Sequence, residues 1–346
     1  MPLITLWPPA YTRYVYGSRF LSQLCLRNCY ATVAPATSRQ PRTPDSDSAL
    51  PSSLDKNILA HLSTDIPSLH ELIRQYEANS GHVFRCSLPY ESRPSESRQR
   101  HGLPNTSGDS ESNIVMIAHC VETRDDHKVS LSSGFALEAP SAIPGETLFL
   151  TCAHTLEEAR YFVSPDINLV SSKSGTFVIS GSPEYQQIYP VSAIPSALPR
   201  SDLLVLASSK ASVQTLPMSP YPAQPGTCIR AHFVSHSKSP PMEPGWIPWV
   251  GGTWSKWVRG TVLGYRDFAG RETMPGTYDA LSHLLFTPLP TMGSSGGPII
   301  DDESGAVIGV MLGTRMDNGI EGVRGWGVPS ETIFEMFSLP GLEGKR

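Results

Sequence analysis

No apolar run in this 346-residue chain approaches the ~20 residues that span a bilayer, so no membrane-spanning helix is expected. No compact apolar stretch follows the start either. Arg13, Arg19 and several tyrosines interrupt every candidate, which argues against a secretory signal. Charge is thin, at 17% Asp, Glu, Lys and Arg, and a formal net charge of −5 gives nucleic acid or an anionic surface no general attraction. Acids are missing altogether up to Pro44, where five arginines stand without a lysine. The other 22 of the 27 basic residues accompany all 32 acids, for a net charge of −10. An Arg-rich, acid-free, hydroxyl-rich start has the composition of a mitochondrial presequence, drawn inward by the membrane potential. A disordered tail of accidental composition is the alternative, and Pro8 and Pro9 weaken any early helix.

Cysteine is sparse: Cys25, Cys29, Cys86, Cys120, Cys152 and Cys228. Cys25 and Cys29 have loose metal-like spacing, but no second pair or histidine cluster follows, so neither a metal nor an organic cofactor is expected. The others sit mostly in strand-like apolar contexts, as buried free thiols do. A reducing, intracellular compartment fits this usage better than secretion.

What the chain does have is proline, glycine and short β-rich runs, which favour an all-β body. Residues 1–53 read as leader and flexible segment. Residues 54–113 read as a helical extension, two short helices over 54–79, followed by a polar loop. From Ile114 six strand-like runs (IVMIAHCVE, VSLSSGFALEA, TLFLTCAHT, TFVIS, YQQIYPVSAI, DLLVLAS) form a first barrel over 114–213. A proline-dense connector follows, because proline blocks both helix continuation and central strand pairing. Six further runs (CIRAHFVSH, WVRGTVLGYRD, HLLFTPLP, GGPIIDD, AVIGVMLGT, GWGVP) form a second barrel over 226–338, closed by a short helix capped by Ser330. Trp246, Trp249, Trp254 and Trp257 cluster before a strand, where packing of a surface loop is expected rather than a partner-binding patch.

Three segments carry chemistry. In PTMGSSGGPII, residues 290–300, Ser295 stands in a glycine-flanked turn. Acyl transfer needs a nucleophile and donors for the developing oxyanion, and the main-chain amides of Gly293 and Ser295 are placed to be those donors. A polar hairpin turn without catalysis is the bland reading. In TLFLTCAHTLEEA, His154 ends an apolar strand, positioned to reach both a hydroxyl and a carboxylate. In PRSDLLVLASS, Asp202 enters an apolar strand and needs a partner, since an unpaired buried carboxylate is costly. A turn acid that starts a strand is the alternative there. Asp166 lies too near the histidine strand to serve.

TCAHT resembles the TAAHC segment of chymotrypsin-like serine peptidases, SDLLVL their DIALL strand, and GSSGGP their GDSGGP loop. The resemblance covers residues 114–338, with His, Asp and Ser in the family's order. It implies two six-stranded antiparallel β-barrels of the chymotrypsin-like kind, a His154–Asp202–Ser295 triad, an oxyanion hole at Gly293 and Ser295, and a peptide or protein substrate. Ser294 replaces the usual acid before the nucleophile, which implies no activation by a freed amino terminus. The lack of disulfides and the SGFAL strand at 133–137 bring the chain nearer to the Deg-type and glutamyl-endopeptidase branch, without a carboxy-terminal peptide-binding module. In the family the residue six before the nucleophile, here Leu289, floors the specificity pocket, with walls from Gly313 and the 325–327 loop including Gly325. An apolar floor favours small or medium apolar side chains, and His283 in the same barrel is a candidate to meet an acidic one. A silent double barrel that binds peptides, and a protease covered by its own residues 54–113, are the competing expectations.

Overall fold

The computed structural model describes residues 52–89 and 113–339, except 125, 140–144, 162–172, 210, 212, 237–241 and 319. The presequence reading and most of the polar loop therefore lie outside the described residues.

The two expected short helices are present. In α1 (Ser53–Leu59) the Ser52 hydroxyl accepts from the Asp55 amide while the Asp55 carboxylate accepts from the Ser52 amide, satisfying two otherwise orphaned donors. In α2 (Leu69–Ala78) the Ser68 hydroxyl caps the amide of Glu71.

The first sheet comprises β1 (Ile114–Glu122), β2 (His127–Leu137), β3 (Thr147–Cys152), β4 (Lys173–Gly181), β5 (Gln186–Pro190), β6 (Ala193–Leu198), β7 (Leu203–Ser208) and a short β8 (Thr215–Leu216). Its order is β5-β4-β1-β2-β3-β7-β6, with β8 added to β2. The run expected as one strand at 185–194 is broken at Val191, so that β5 pairs β4 while β6 pairs β7. That bend brings the two ends of the sheet together and makes a six-stranded barrel.

The second comprises β9 (Cys228–Ser235), β10 (Ile247–Pro248), β11 (Trp254–Arg266), β12 (Glu272–Thr273), β13 (His283–Thr287), β14 (Pro298–Asp301), β15 (Val307–Asn318) and β16 (Gly322–Pro329). Its order β11-β13-β16-β15-β14-β9 closes through pairing of β11 with β9, again with six strands. A short helix α3 (His154–Arg160) follows β3, and α4 (Ser330–Phe334) closes the chain.

β1 is buried over nearly its whole length. Ile114, Met116, Ala118 and Cys120 join a cluster with Leu54 and Ile58 of α1, while Val115, Ile117 and Val121 join Leu69, Leu72, Ile73 and Tyr76 of α2. A strand covered on both faces carries a continuous apolar run, which is why IVMIAHCV shows no alternation. With each such buried side chain contributing about 1.5–3 kcal/mol, both helices are parts of the core. The following segment runs on to the far end of the chain, where Phe84 stacks on Phe337 at 4.8 Å between ring centres.

The tryptophan cluster differs from expectation. Trp249 is buried in the same cluster as Leu54 and Ile58, and Trp249 and Trp257 flank the buried ring of His232 at 5.2 and 5.1 Å. Part of the stretch therefore belongs to the core, because α1 covers it. Among the described residues no helix is long and apolar enough to cross a membrane.

Candidate active site

His154 opens α3 immediately after β3. Asp202 follows the 3-10 turn Pro199–Ser201 and has φ 56°, the one positive φ among described residues other than glycine. Aspartate tolerates this left-handed conformation better than most residues. The gain is a fully engaged carboxylate. Oδ1 accepts from the amides of Ala153 (2.9 Å) and His154 (2.7 Å), and Oδ2 accepts from His154 Nδ1 (2.6 Å). With its proton held on Nδ1, the neutral imidazole keeps the Nε2 lone pair for another partner.

The serine loop lies between β13 and β14 and is tied to both barrels. From the first, Ser133 donates its amide to the Ser295 carbonyl and its hydroxyl to the Gly293 carbonyl, both at 2.8 Å. From the second, Met311 and the loop exchange two bonds, Gly296 N to Met311 O (2.7 Å) and Met311 N to Gly297 O (2.9 Å). Buried Ser294 accepts from the Val234 amide at 2.9 Å, so the residue that replaces the usual acid fastens the loop to β9. Gly296 has φ 85°, and a Cβ there would lie 2.2 Å from the Ser133 carbonyl and 2.4 Å from Thr151 Oγ1. Glycine is required there by both backbone and space.

Among the described residues the amides of Gly293 and Ser295 donate no hydrogen bond. Ser295 Oγ donates to the Leu312 carbonyl at 3.0 Å, and the neighbour of His154 Nε2 is Cys152 Sγ at 3.7 Å. Burial acts against a charged imidazole at His154, but the Cys152 sulfur and the Asp202 carboxylate outweigh it and raise its pKa well above the ordinary histidine value.

The expected pocket residues divide. Gly313, on β15, has open space where a side chain would be. Leu289 is half exposed on the serine loop. At Gly325 a Cβ would meet the buried Phe286 ring at 2.8 Å, so packing inside the second barrel calls for glycine there. His283 lies tilted by 31° against Trp326, with 4.2 Å between ring centres; burial and the Arg315 charge lower its pKa to about 4, so it stays neutral at physiological pH. Ser133, Cys152 and Leu312 escaped the sequence reading as site residues. Only the spacing of SSGFAL and VMLGT from the loop could have suggested the first and last.

Two barrels with a glycine-pinned serine loop and a half-buried His–Asp pair beside it define a peptidase of the double-barrel class. The chain belongs to the trypsin-like peptidase domain family, whose model matches residues 132–310. No curated protein matches it. Among solved structures it is similar to the active form of the Rv3671c protease from M. tuberculosis, at 19% identity, 70% of this chain, 88% of that one and a TM-score of 0.39. It is similar to Deg5 at 16% identity over 70% and 94% of the two chains, with a TM-score of 0.42. The MamO protease domain from Magnetospirillum magneticum matches at 14% identity over 66% and 97%, with a TM-score of 0.40.

Proposed function

We propose that this protein is a serine endopeptidase using His154, Asp202 and Ser295. The observation that carries the reading is the 2.6 Å bond from His154 Nδ1 to Asp202, with the free amides of Gly293 and Ser295 on the adjoining loop. Nε2 takes the proton of Ser295 as its oxygen attacks the scissile carbonyl, and the two amides stabilise the oxyanion. The same imidazole then protonates the leaving amine, and water releases the acyl group by the reverse route. For this the Ser295 hydroxyl gives up its bond to the Leu312 carbonyl, and apo structures commonly show catalytic bonds unmade. A reducing compartment belongs to the same proposal, supported by the free thiols of Cys120, Cys152 and Cys228.

A silent peptide-binding barrel is the second reading, favoured by the Ser295–Leu312 bond. Hydrolysis of an unstructured protein such as casein separates the two. Peptide-bond cleavage by the purified chain, lost by at least about 10⁴-fold in Ser295→Ala at unchanged melting temperature, is the expected result. Equal cleavage by both proteins, or none by either, would refute the triad.

A further inference from the structure

The amide of Gly293 belongs to a peptide that no hydrogen bond holds directly. Among the described residues neither the Gly293 N–H nor the Met292 carbonyl has a partner. The groups around it are tied: Ser294 donates its amide to the Thr291 carbonyl at 3.2 Å, and the Gly293 carbonyl accepts from the Ser133 hydroxyl at 2.8 Å. Gly293 has φ 88°, and glycine populates both signs of φ readily, so its own backbone does not fix which way the N–H points. That direction decides its use. Only a donor already oriented stabilises an oxyanion without paying for reorganisation as the charge develops.

Two side chains outside the triad supply the constraint, and both act from the end of β9. Pairing of β14 with β9 reaches only Ala231, so the backbone of Val234 has no strand on that side. The serine loop takes the place of one. Thr291 Oγ1 donates to the Val234 carbonyl at 2.6 Å, the Val234 amide donates to Ser294 Oγ at 2.9 Å, and the two hydroxyls lie 2.9 Å apart. With the Thr291 proton given to the carbonyl, Ser294 must donate to Thr291, and the closed ring of bonds ties both ends of the Thr291–Ser294 turn to one residue of β9. The second side chain is His236, the first residue beyond that strand. Its ring stands where a Gly293 side chain would be: a Cβ there would lie 2.6 Å from Cε1 and 2.8 Å from Nε2. A ring packed against Gly293 restricts the room in which the neighbouring peptide can turn over.

We propose that Thr291 and His236 are positioning residues of the oxyanion hole, together holding the Met292–Gly293 peptide with its N–H toward the developing charge. Their purpose rests on the peptidase reading, but their hold on the peptide is visible without catalysis. Met292–Gly293 is the only Met–Gly pair in the chain, so Ser295→Ala carrying ¹³C-carbonyl methionine and ¹⁵N glycine gives a single carbonyl-coupled amide signal in NMR, from this peptide. One sharp signal is expected in Ser295→Ala, and again when Thr291→Ser or His236→Phe is added, since these keep the hydroxyl or the ring. Thr291→Val and His236→Ala should split or broaden it, as interconversion on the μs–ms scale does. With Ser295 intact, kcat on a peptide substrate should fall about 10- to 100-fold in Thr291→Val and in His236→Ala, with KM changed less than about threefold, and recover in Thr291→Ser and His236→Phe. His236 is exposed, so His236→Ala retains the test should Thr291→Val fail to fold. A split or broadened signal that the conservative variants restore supports the inference even where the wild type cleaves nothing, which separates failure of the peptidase reading from failure of this one. A single sharp signal in Ser295→Ala carrying both Thr291→Val and His236→Ala, full kcat in that pair with Ser295 intact, or a loss that Thr291→Ser and His236→Phe do not repair, would overturn it.

Discussion

Asp202→Asn is expected to lower kcat by about 10⁴-fold while leaving the fold intact. Asparagine tolerates the φ of 56° found at this position, and its amide oxygen can still accept the Ala153 and His154 amides that now bond Oδ1. The other atom changes from acceptor to donor. An NH₂ facing His154 Nδ1 drives the ring proton to Nε2, the nitrogen that must take the proton of Ser295, and the base is lost. The pH profile moves as well. His154 acts only when neutral, and its raised pKa places the acid limb of wild-type activity above the ordinary histidine value of 6.5. Removing the carboxylate shifts the limb of the residual activity downward. A variant within tenfold of wild type, measured as kcat on a peptide substrate, would show that Asp202 is only a turn residue.

Acid is expected to destabilise the folded chain through two buried histidines outside the triad. Burial lowers His232 to about 3, and burial together with the His154 charge lowers His119 to about 3. His119 retains a bond between Nδ1 and Thr176, whereas neither ring nitrogen of His232 has a partner between its two tryptophans. Both folded values lie below the unfolded value of 6.5, so the stability they contribute is whole above pH 6.5 and is lost as pH falls toward 3. At pH 5 each costs about 2 kcal/mol, a large share of the ~5–15 kcal/mol that holds a domain folded. His154 and Glu331, both raised, act in the opposite sense, which makes a variant the clean comparison. Denaturant unfolding at pH 7.5 and 5.0 should find His232→Phe less acid-sensitive than wild type by about 2 kcal/mol. Identical pH dependence in the two proteins would mean that His232 takes up its proton without opening the core.

Much of this was legible in the sequence because it is local. Strand runs and turn residues mark the elements, and the proposed site residues stand at the ends of such runs: His154 after TLFLTCA, Asp202 before LLVLAS, Ser295 between glycines. The expected cap of the closing helix is displaced, since Pro329 holds the cap position and Ser330 is the first residue of α4. What was not legible depends on chain segments far apart. Nothing around Ser133 announces that its amide and hydroxyl hold a loop 160 residues away. The left-handed turn at Asp202 follows from the three donors it meets, and these exist only once β3 and β7 are paired. Likewise the tryptophan stretch reads as a surface loop until α1 covers Trp249. The packing around Gly325 is not legible either, since its space is set by the Phe286 ring, which no spacing rule locates.

The most direct test is reaction of the folded protein with a fluorophosphonate, with the adduct mapped by mass spectrometry. A serine activated by His154 and Asp202 should carry the label at Ser295, with none in Ser295→Ala and at least about 10³-fold slower labelling in His154→Ala. Folded wild-type protein that takes up no label, or labels as fast without His154 as with it, would contradict the triad.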